Sequence, residues 1–173
     1  MESLHTLVVM RHAKAEDAAA SDFERPLADR GSRDAAATGE WLARRGFVPD
    51  HVLVSAALRT RQTWEHLRRA AGEGWEAPEV DLDRGLYSAG PDTALDLLRL
   101  IGDDRQQALI IGHNPTVGHL AQLLDDGDGD PAAVDDLAAG FPTCATAVFT
   151  WTGRWADLAP GAARLSGYHV GRG

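Results

Sequence analysis

Two short runs of consecutive apolar residues restrict the fold of this chain more than any other feature of its sequence. Residues 7–10 read LVVM and residues 108–111 read ALII, and polar residues follow both runs closely. Uninterrupted apolar runs of this length are typical of strands that are buried on both faces of a parallel sheet. They fall far short of the roughly 20 apolar residues that a membrane-spanning helix requires. The two runs therefore predict a buried parallel sheet and no transmembrane segment.

Segments with helical periodicity alternate with further strand-like segments along the 173 residues. Helices are predicted at 29–45, 58–71, 91–101 and 115–124, the last with Asn114 as its N-cap and Pro115 at its first position. Further strands are predicted at 51–54, at 79–82, at 145–151, near Arg154 and at 163–170. This order predicts a single α/β domain over residues 1–173, with a mostly parallel sheet and antiparallel strands near the C-terminus.

The segment DDGDGDPAAVDD, residues 125–136, is unusually acidic. A calcium-binding loop needs a glycine at its sixth position, and a loop that starts at Asp125 or at Asp126 has none there. We therefore predict a solvated acidic loop and no metal site at these residues.

Charge and cysteine content bear on the partners and the compartment of the protein. The net charge is −9, from 26 acidic and 17 basic residues, which argues against nucleic-acid binding because that function clusters Lys and Arg. An anionic substrate would have to be attracted by individual cations within the site. The lone Cys144 cannot form an internal disulfide, and the N-terminus lacks a signal-peptide pattern. We expect a cytoplasmic protein that contacts neither nucleic acid nor membrane.

Polar residues of related chemistry follow three of the predicted strands. They are Arg11 and His12 after the first strand, Ser55 and Arg59 after the second, and His113 and Asn114 after the strand at 108–111. Because the carboxyl ends of parallel strands meet at one edge of a sheet, we expect these residues to share a crevice. The N-termini of the following helices would point free backbone N–H groups at the same place, which suits an anion.

These residue types fit phosphoryl transfer. Its transition state spreads negative charge over three oxygens, and the guanidinium fork of arginine binds two such oxygens at once. A neutral imidazole is a competent nucleophile at pH 7, provided that its other ring nitrogen is held as a hydrogen-bond donor. A backbone carbonyl can serve as the acceptor for that nitrogen, but the sequence does not identify which one.

Four segments, in this order along the chain, resemble motifs of the histidine phosphatase superfamily. They are VVMRHAKAE (8–16), DFERPLADRG (22–31), VSAALRTRQT (54–63) and IIGHNP (110–115). The combination is similar to the small SixA-type phosphohistidine phosphatases, and it covers about the first 120 residues strongly. The resemblance implies a three-layer α/β/α fold, no metal or other cofactor, and a phosphorylated His12 in a pocket formed with Arg11, Arg59 and His113.

Four more residues are expected to contact the substrate around this pocket: Ser55, Lys14, Arg25 and Asn114. Ser55 can serve as a helix N-cap, as a phosphate contact or as both. Arg25 can reach the mouth of the pocket or form a structural ion pair.

Two departures from the family pattern bear on the substrate. Ala13 stands where the superfamily usually has glycine, and its methyl group is expected to narrow the pocket. The stretch DRGLYSAG, residues 83–90, has no carboxylate after Asp83, although larger relatives carry a proton-donating glutamate in this region. An alkoxide leaving group needs such a proton, whereas the imidazole of phosphohistidine can leave as a neutral molecule. The sequence therefore favours phosphohistidine in a protein as the substrate, with Asp83 as a weak candidate acid.

Three alternatives remain at this point. The substrate of the same nucleophile can be a small phosphomonoester, such as a sugar or nucleotide phosphate. A non-catalytic phosphate-binding module would need only the arginines. A metallohydrolase would use His12, His113, His119 and nearby aspartates, but His113 and His119 are not spaced to face one side of a helix. The remaining histidines are predicted to lie at the surface, as is His119: His5, His51, His66 and His169.

Overall fold

A six-stranded sheet forms the centre of the computed structural model, which describes residues 2–173. In chain order its strands are β1 (Leu4–Arg11), β2 (His51–Ser55), β3 (Glu79–Asp83), β4 (Gln107–Gly112), β5 (Ala145–Thr152) and β6 (Arg164–Val170). Across the sheet they lie in the order β3-β2-β4-β1-β5-β6. The first four strands in that order pair in parallel, and β5 pairs antiparallel with both β1 and β6. The predicted sheet, with its antiparallel strands near the C-terminus, is confirmed.

Helices cover both faces of the sheet: α1 (Asp29–Arg44), α2 (Leu58–Ala71), α3 (Pro91–Arg99), α4 (Thr116–Leu124) and α5 (Pro131–Ala139). Successive side chains of a strand point to opposite faces. Val8 and Met10 of β1 accordingly pack with α1 and α2, while Leu7 and Val9 pack with α3, α4 and α5. This arrangement is a three-layer α/β/α sandwich. Within residues 2–173, none of the helices is both long and apolar enough to cross a membrane.

The start of α4 differs by one residue from the prediction. The helix begins at Thr116, and Pro115 rather than Asn114 occupies the N-cap position. The Asn114 side chain donates to the carbonyl of Phe141 (2.7 Å) and accepts from the backbone N–H of Gly118 (3.3 Å). Asn114 thus ties the start of α4 to the segment that leads into β5.

The strand predicted near Arg154 is wrong. A 3-10 turn, Trp155–Asp157, follows Arg154, and the chain returns as β6 only from Arg164. The Trp155 side chain is fully buried, and its indole N–H donates to the carbonyl of Arg105 at 2.7 Å. The ring packs against His5 of β1 and Trp151 of β5, and these contacts hold the chain in a turn at the position of the predicted strand.

The acidic segment 125–136 is a loop only in its first half. The Asp130 carboxylate accepts from the backbone N–H of Ala133 at 2.9 Å and so caps α5, and Pro131 occupies the first position of this helix. Ala133 and Leu137 then pack into the core. The loop prediction is therefore wrong from Pro131 onward, because an N-cap followed by proline and two core contacts is sufficient for a helix.

Two of the histidines predicted at the surface are buried. His5 is 1% exposed, and its Nε2 is hydrogen-bonded to the carbonyl of Gly153 at 2.8 Å. His51 lies within β2 and is 7% exposed. His66 and His169 are half-buried, and His119 is exposed as predicted.

Candidate active site

The carboxyl ends of three adjacent strands bring the predicted site residues to one edge of the sheet. In the parallel register, Arg11 of β1 lies opposite Gly112 of β4, and Ile111 of β4 lies opposite Val54 of β2. The residues that follow these positions surround a cleft of about 260 Å³. It is lined by Arg11, His12, Lys14, Ala15, Arg25, Arg59, His113, Asn114 and Thr143. Seven of the eight predicted site residues are in this lining, and Ser55 is not.

Hydrogen bonds on both sides of the His12 peptide fix the position of its imidazole. Its backbone N–H donates to Gly112 (3.1 Å), and its carbonyl accepts from Cys144 (3.0 Å). The imidazole Nδ1 lies 2.7 Å from the carbonyl oxygen of Ala13. Because a carbonyl oxygen only accepts, Nδ1 carries the ring hydrogen and Nε2 keeps its lone pair. This is the backbone acceptor whose identity the sequence left open.

The surroundings of His12 keep its imidazole neutral. Burial lowers its pKa to about 3, the hydrogen bond to the Ala13 carbonyl opposes this shift, and the charges of His113, Arg59 and Arg11 lower the pKa further. The charged form of a histidine is disfavoured both by loss of water and by nearby cations. At neutral pH the residue is therefore an uncharged base with a free lone pair on Nε2.

The residue after His12 is anchored to helix α2. The backbone N–H of Ala13 donates to the Thr63 hydroxyl at 3.1 Å, and that hydroxyl donates to the carbonyl of Arg59 at 2.7 Å. The Ala13 methyl group is fully buried in the core and does not line the cleft. The expectation that this methyl group narrows the pocket is therefore wrong, because the peptide turns the side chain inward.

A glycine in α1 permits a close approach of helix α1 to the same loop. A Cβ atom at Gly31 would lie 2.0 Å from the carbonyl oxygen of Lys14. Any other residue would push the loop and helix α1 apart, because real Cβ contacts are never this short. Gly31 thus helps to fix the path of the chain directly after His12.

Arg11 and Arg59 are two of the four basic residues that line the cleft. Arg59 is only 6% exposed, and its two terminal nitrogens donate to Asp22, one to the backbone carbonyl (2.7 Å) and one to the carboxylate (3.1 Å). A terminal nitrogen of Arg11 donates to the carbonyl of Phe141 at 3.3 Å. Among residues 2–173, the Nε atoms of both arginines are buried without a hydrogen-bond partner. An oxyanion in the cleft would supply acceptors for such donors.

The second histidine of the cleft faces the first. The ring centroids of His12 and His113 are 5.3 Å apart, and Nε2 of His113 lies 2.7 Å from the hydroxyl oxygen of Ser55. Burial and the charge of Arg59 lower the pKa of His113 to about 4, with Asp22 opposing and Arg11 reinforcing the shift. His113 is therefore also neutral near pH 7.

Ser55 occupies a different place from the one predicted. Helix α2 has Ala57, not Ser55, at its N-cap position, and Ser55 is fully buried behind the cleft. Its hydroxyl reaches His113. Ser55 does not line the cleft, because its side chain is fully buried against His113, and it can influence the cleft only through that histidine.

The sequence analysis missed two residues that organise the cleft. The Asp22 carboxylate accepts hydrogen bonds from Tyr87, from Arg25 (3.0 Å) and from Arg59 (3.1 Å). These contacts, that from the Tyr87 hydroxyl first, hold the pKa of Asp22 well below its usual range. The Tyr87 ring also packs edge-on against His113, with centroids 5.4 Å apart. Both residues lie in stretches that the sequence analysis had singled out, 22–31 and 83–90, but no local pattern links them.

Comparison with known proteins identifies the family. Residues 7–87 match the family model described as "Histidine phosphatase superfamily (branch 1)". The chain is also 34% identical over 128 residues to the phosphohistidine phosphatase SixA of Escherichia coli, covering 71% of this chain and 76% of that protein. The chain belongs to the histidine phosphatase superfamily.

Solved structures place this histidine phosphatase in the SixA-type branch. A putative phosphohistidine phosphatase SixA from Nakamurella multipartitia is similar with a TM-score of 0.82 and 35% identity, over 98% of this chain and 97% of that one. A protein histidine phosphatase SixA solved with tungstate has a TM-score of 0.75 and 25% identity, over 95% of this chain and 96% of that one. The fold, the order of the motifs and the chemistry of the cleft thus agree in assigning the protein to this branch of enzymes.

Three predicted contact residues surround the cleft of this histidine phosphatase. The Lys14 side chain is 46% exposed, and its ammonium lies 3.9 Å from the carboxylate of Asp17. Arg25 lines the cleft and also forms an ion pair with the carboxylate of Asp22 (3.0 Å), so that both of its predicted environments, pocket mouth and structural ion pair, occur together. The amide of Asn114 faces the cleft while it holds Phe141.

Asp83, the candidate proton donor, lies outside the cleft. The Asp83 carboxylate accepts from the backbone N–H of Leu86 at 2.8 Å and so supports the turn after β3. Asp83 does not line the cleft, and among residues 2–173 neither does any other Asp or Glu. Within residues 2–173, no group of three His, Cys, Asp or Glu side chains is arranged to hold a metal ion.

Proposed function

We propose that this histidine phosphatase hydrolyses phosphohistidine in proteins through a covalent phosphoryl intermediate on Nε2 of His12. It acts in the cytoplasm and without a metal cofactor. The observation that carries the proposal is the 2.7 Å hydrogen bond between Nδ1 of His12 and the Ala13 carbonyl. This bond leaves the Nε2 lone pair free beside two arginines and a second histidine.

The first step transfers the phosphoryl group to the enzyme. The Nε2 lone pair of His12 attacks phosphorus, a P–N bond forms, and the bond from phosphorus to the leaving group breaks with its electron pair on the leaving atom. Arg11 and Arg59 balance the negative charge on the phosphoryl oxygens. In the second step a water attacks the same phosphorus, the P–N bond of His12 breaks with its electron pair on Nε2, and the phosphate leaves with the water oxygen and its protons. Because Nδ1 keeps its hydrogen throughout, His12 returns as a neutral imidazole.

The absence of a nearby carboxylic acid supports phosphohistidine as the substrate. The Asp22 carboxylate is hydrogen-bonded to Arg59 of the cleft, but it is ionised and cannot donate a proton. Alkoxides are poor leaving groups without a donor, whereas a phosphohistidine ring protonated on its second nitrogen leaves as neutral imidazole. The naming of two SixA relatives as phosphohistidine phosphatases points the same way.

A substrate series tests this proposal against the small-molecule alternative. The measurement is kcat/KM for aryl and alkyl phosphates of graded leaving-group pKa, together with a phosphohistidine peptide. We expect the peptide and the activated aryl phosphates to react well and sugar phosphates to react poorly. A sugar phosphate as the best substrate, or rates that do not depend on the leaving group, would contradict the proposal.

The covalent step has its own test. His12→Ala should lose more than about a hundredfold in kcat, which corresponds to more than ~2.7 kcal/mol of transition-state stabilisation. Rapid mixing of the wild type with ³²P-labelled substrate, quenched without acid, should leave label on the protein. The matched control is His119→Ala, which removes an exposed histidine of α4. Equal activity of the two variants would remove His12 from its role as nucleophile, whereas a wild type that binds phosphate but has no turnover would favour a phosphate-binding module.

A further inference from the structure

The buried hydroxyl of Ser55 is in contact with one histidine of the cleft. Ser55 is fully buried at the end of β2, and its Oγ lies 2.7 Å from Nε2 of His113. The same oxygen lies 3.5 Å from the backbone nitrogen of Ala57, whose N–H points toward it. The proposed function gives Ser55 no part in the reaction, and its burial removes it from direct contact with a substrate in the cleft.

The direction of this hydrogen bond follows from the partners of the hydroxyl. A buried O–H group needs an acceptor, since water cannot replace one. Among residues 2–173, Nε2 of His113 is the acceptor within hydrogen-bond distance of the Ser55 hydroxyl. The contact with Ala57 does not compete, because there the serine oxygen accepts. The Ser55 hydroxyl therefore donates, and Nε2 of His113 supplies the lone pair.

This direction decides which nitrogen of His113 carries the ring hydrogen. A neutral imidazole has one N–H, so that an accepting Nε2 leaves the hydrogen on Nδ1. The Nδ1 atom is buried and has no hydrogen-bond partner within the described residues. His113 lines the cleft, and its ring lies 5.3 Å from that of His12. A buried N–H needs an acceptor, and an oxygen of a phosphoryl group attached to His12 would supply one to this ring, whereas a lone pair on Nδ1 would repel such an oxygen.

We propose that Ser55 is a positioning residue that holds His113 in the Nδ1–H tautomer, so that its N–H donates to the transferring phosphoryl group. This inference rests on the proposed function for the identity of the acceptor. The opposite tautomer would leave the Ser55 hydroxyl without an acceptor and would direct a lone pair at the phosphoryl oxygens. Since the negative charge on those oxygens is redistributed in the transition state, the loss of Ser55 should lower kcat more than it raises KM.

Nuclear magnetic resonance of the full-length wild-type protein tests the tautomer directly. Correlations between the imidazole ring protons and ¹⁵N-labelled histidine nitrogens distinguish a protonated nitrogen from an unprotonated one. The His113 signals are assigned by their absence in His113→Gln, and the measurement is made at pH 7, where both cleft histidines are neutral. The expected result is Nδ1–H for His113, and Nε2–H in the wild type would overturn the proposal without any variant.

The variant Ser55→Ala tests whether the serine hydroxyl sets the tautomer of His113 and thereby supports kcat. We expect the Nε2–H form of His113 to appear and kcat to fall by about ten- to a hundredfold, as when a partner that orients a functional histidine is removed. The control is Ser166→Ala, which removes a serine hydroxyl that donates to the carbonyl of Val148 in the β5–β6 pair. An unchanged tautomer in Ser55→Ala, or the same kcat in both variants, would overturn the proposal. A wild type that has the Nδ1–H form but hydrolyses none of the phosphorylated substrates would instead overturn the proposed function.

Discussion

Thr63→Val removes the hydroxyl that links the loop after His12 to helix α2 while it keeps the shape of the side chain. Thr63 is fully buried, and its oxygen accepts from the backbone N–H of Ala13 at 3.1 Å. Valine cannot accept, so that a buried N–H loses its partner at a cost of about 1–3 kcal/mol in the free energy of unfolding. For a typical urea dependence of roughly 2 kcal/mol per molar, this shifts the midpoint of urea unfolding down by about 1 M.

Thr38→Val is a matched control for this prediction. Thr38 is also a fully buried helical threonine, and its hydroxyl donates to the carbonyl four residues earlier, as that of Thr63 does. Within the described residues, however, no backbone N–H donates to the Thr38 hydroxyl, whose other contact is the Cys144 sulfur at 3.3 Å. The difference between the two variants therefore isolates the bond to Ala13. Equal urea midpoints for Thr63→Val and Thr38→Val would refute the reasoning.

The same bond should affect catalysis, because the Ala13 peptide also carries the carbonyl that orients His12. Once its N–H is released, this peptide can rotate and change the direction of the Nε2 lone pair. Small misplacements of reacting groups are costly, and we expect kcat of Thr63→Val to fall on the order of tenfold at pH 7. A Thr63→Val enzyme that is less stable but has an unchanged kcat would show that the loop holds His12 by its other contacts alone.

Three further predictions concern the guanidinium of Arg59, the pH dependence of the activity and its dependence on metal. Arg59→Lys keeps a positive charge but loses the guanidinium that binds both the carbonyl and the carboxylate of Asp22, so kcat should fall measurably; unchanged kinetics would place Arg59 outside the phosphate pocket. Because the pKa values of His12 and His113 are lowered to about 3 and about 4, kcat/KM for an aryl phosphate, whose leaving group needs no ring proton, should be level from pH 8 to about pH 5 and fall only below about pH 4 as the imidazoles take up protons; a midpoint near pH 6.5 would show that they are not buried as described. Dialysis against EDTA should leave turnover unchanged while orthovanadate inhibits, and activity that is lost on chelation and restored by a divalent ion would favour a metallohydrolase.

The free energy of unfolding at acid pH depends on the same two histidines. In the unfolded chain an imidazole takes up a proton near pH 6.5, but in the folded protein His12 and His113 do so only near pH 3 and pH 4. Between these limits the unfolded state binds more protons, so the free energy of unfolding decreases as the pH falls below 6.5. The pH profile of kcat/KM must therefore be measured with the fraction of folded protein followed in parallel, for example by tryptophan fluorescence.

The sequence by itself determined the central strands and the edge of the sheet at which the cleft residues meet. The apolar runs at 7–10 and 108–111 have to be buried on both faces, and this requirement alone places them in the centre of a parallel sheet. Once these strands are parallel neighbours, the residues that follow them, His12 and His113, necessarily lie together. Such information is local, because it depends on hydrophobic period and on position relative to a strand end.

The tertiary structure alone decided what each of these side chains binds. Asp22 reaches Arg59 across 37 positions and Tyr87 across 65, and Ser55 reaches His113 across 58. These contacts depend on how the loops and helices pack around the cleft, and no periodic pattern records that packing. The same holds for Ala13, whose methyl group enters the core while its carbonyl fixes the tautomer of His12. Residue types and strand ends thus predict which groups gather, whereas hydrogen-bond directions and protonation states follow only from the packed geometry, since burial and neighbouring charges set them.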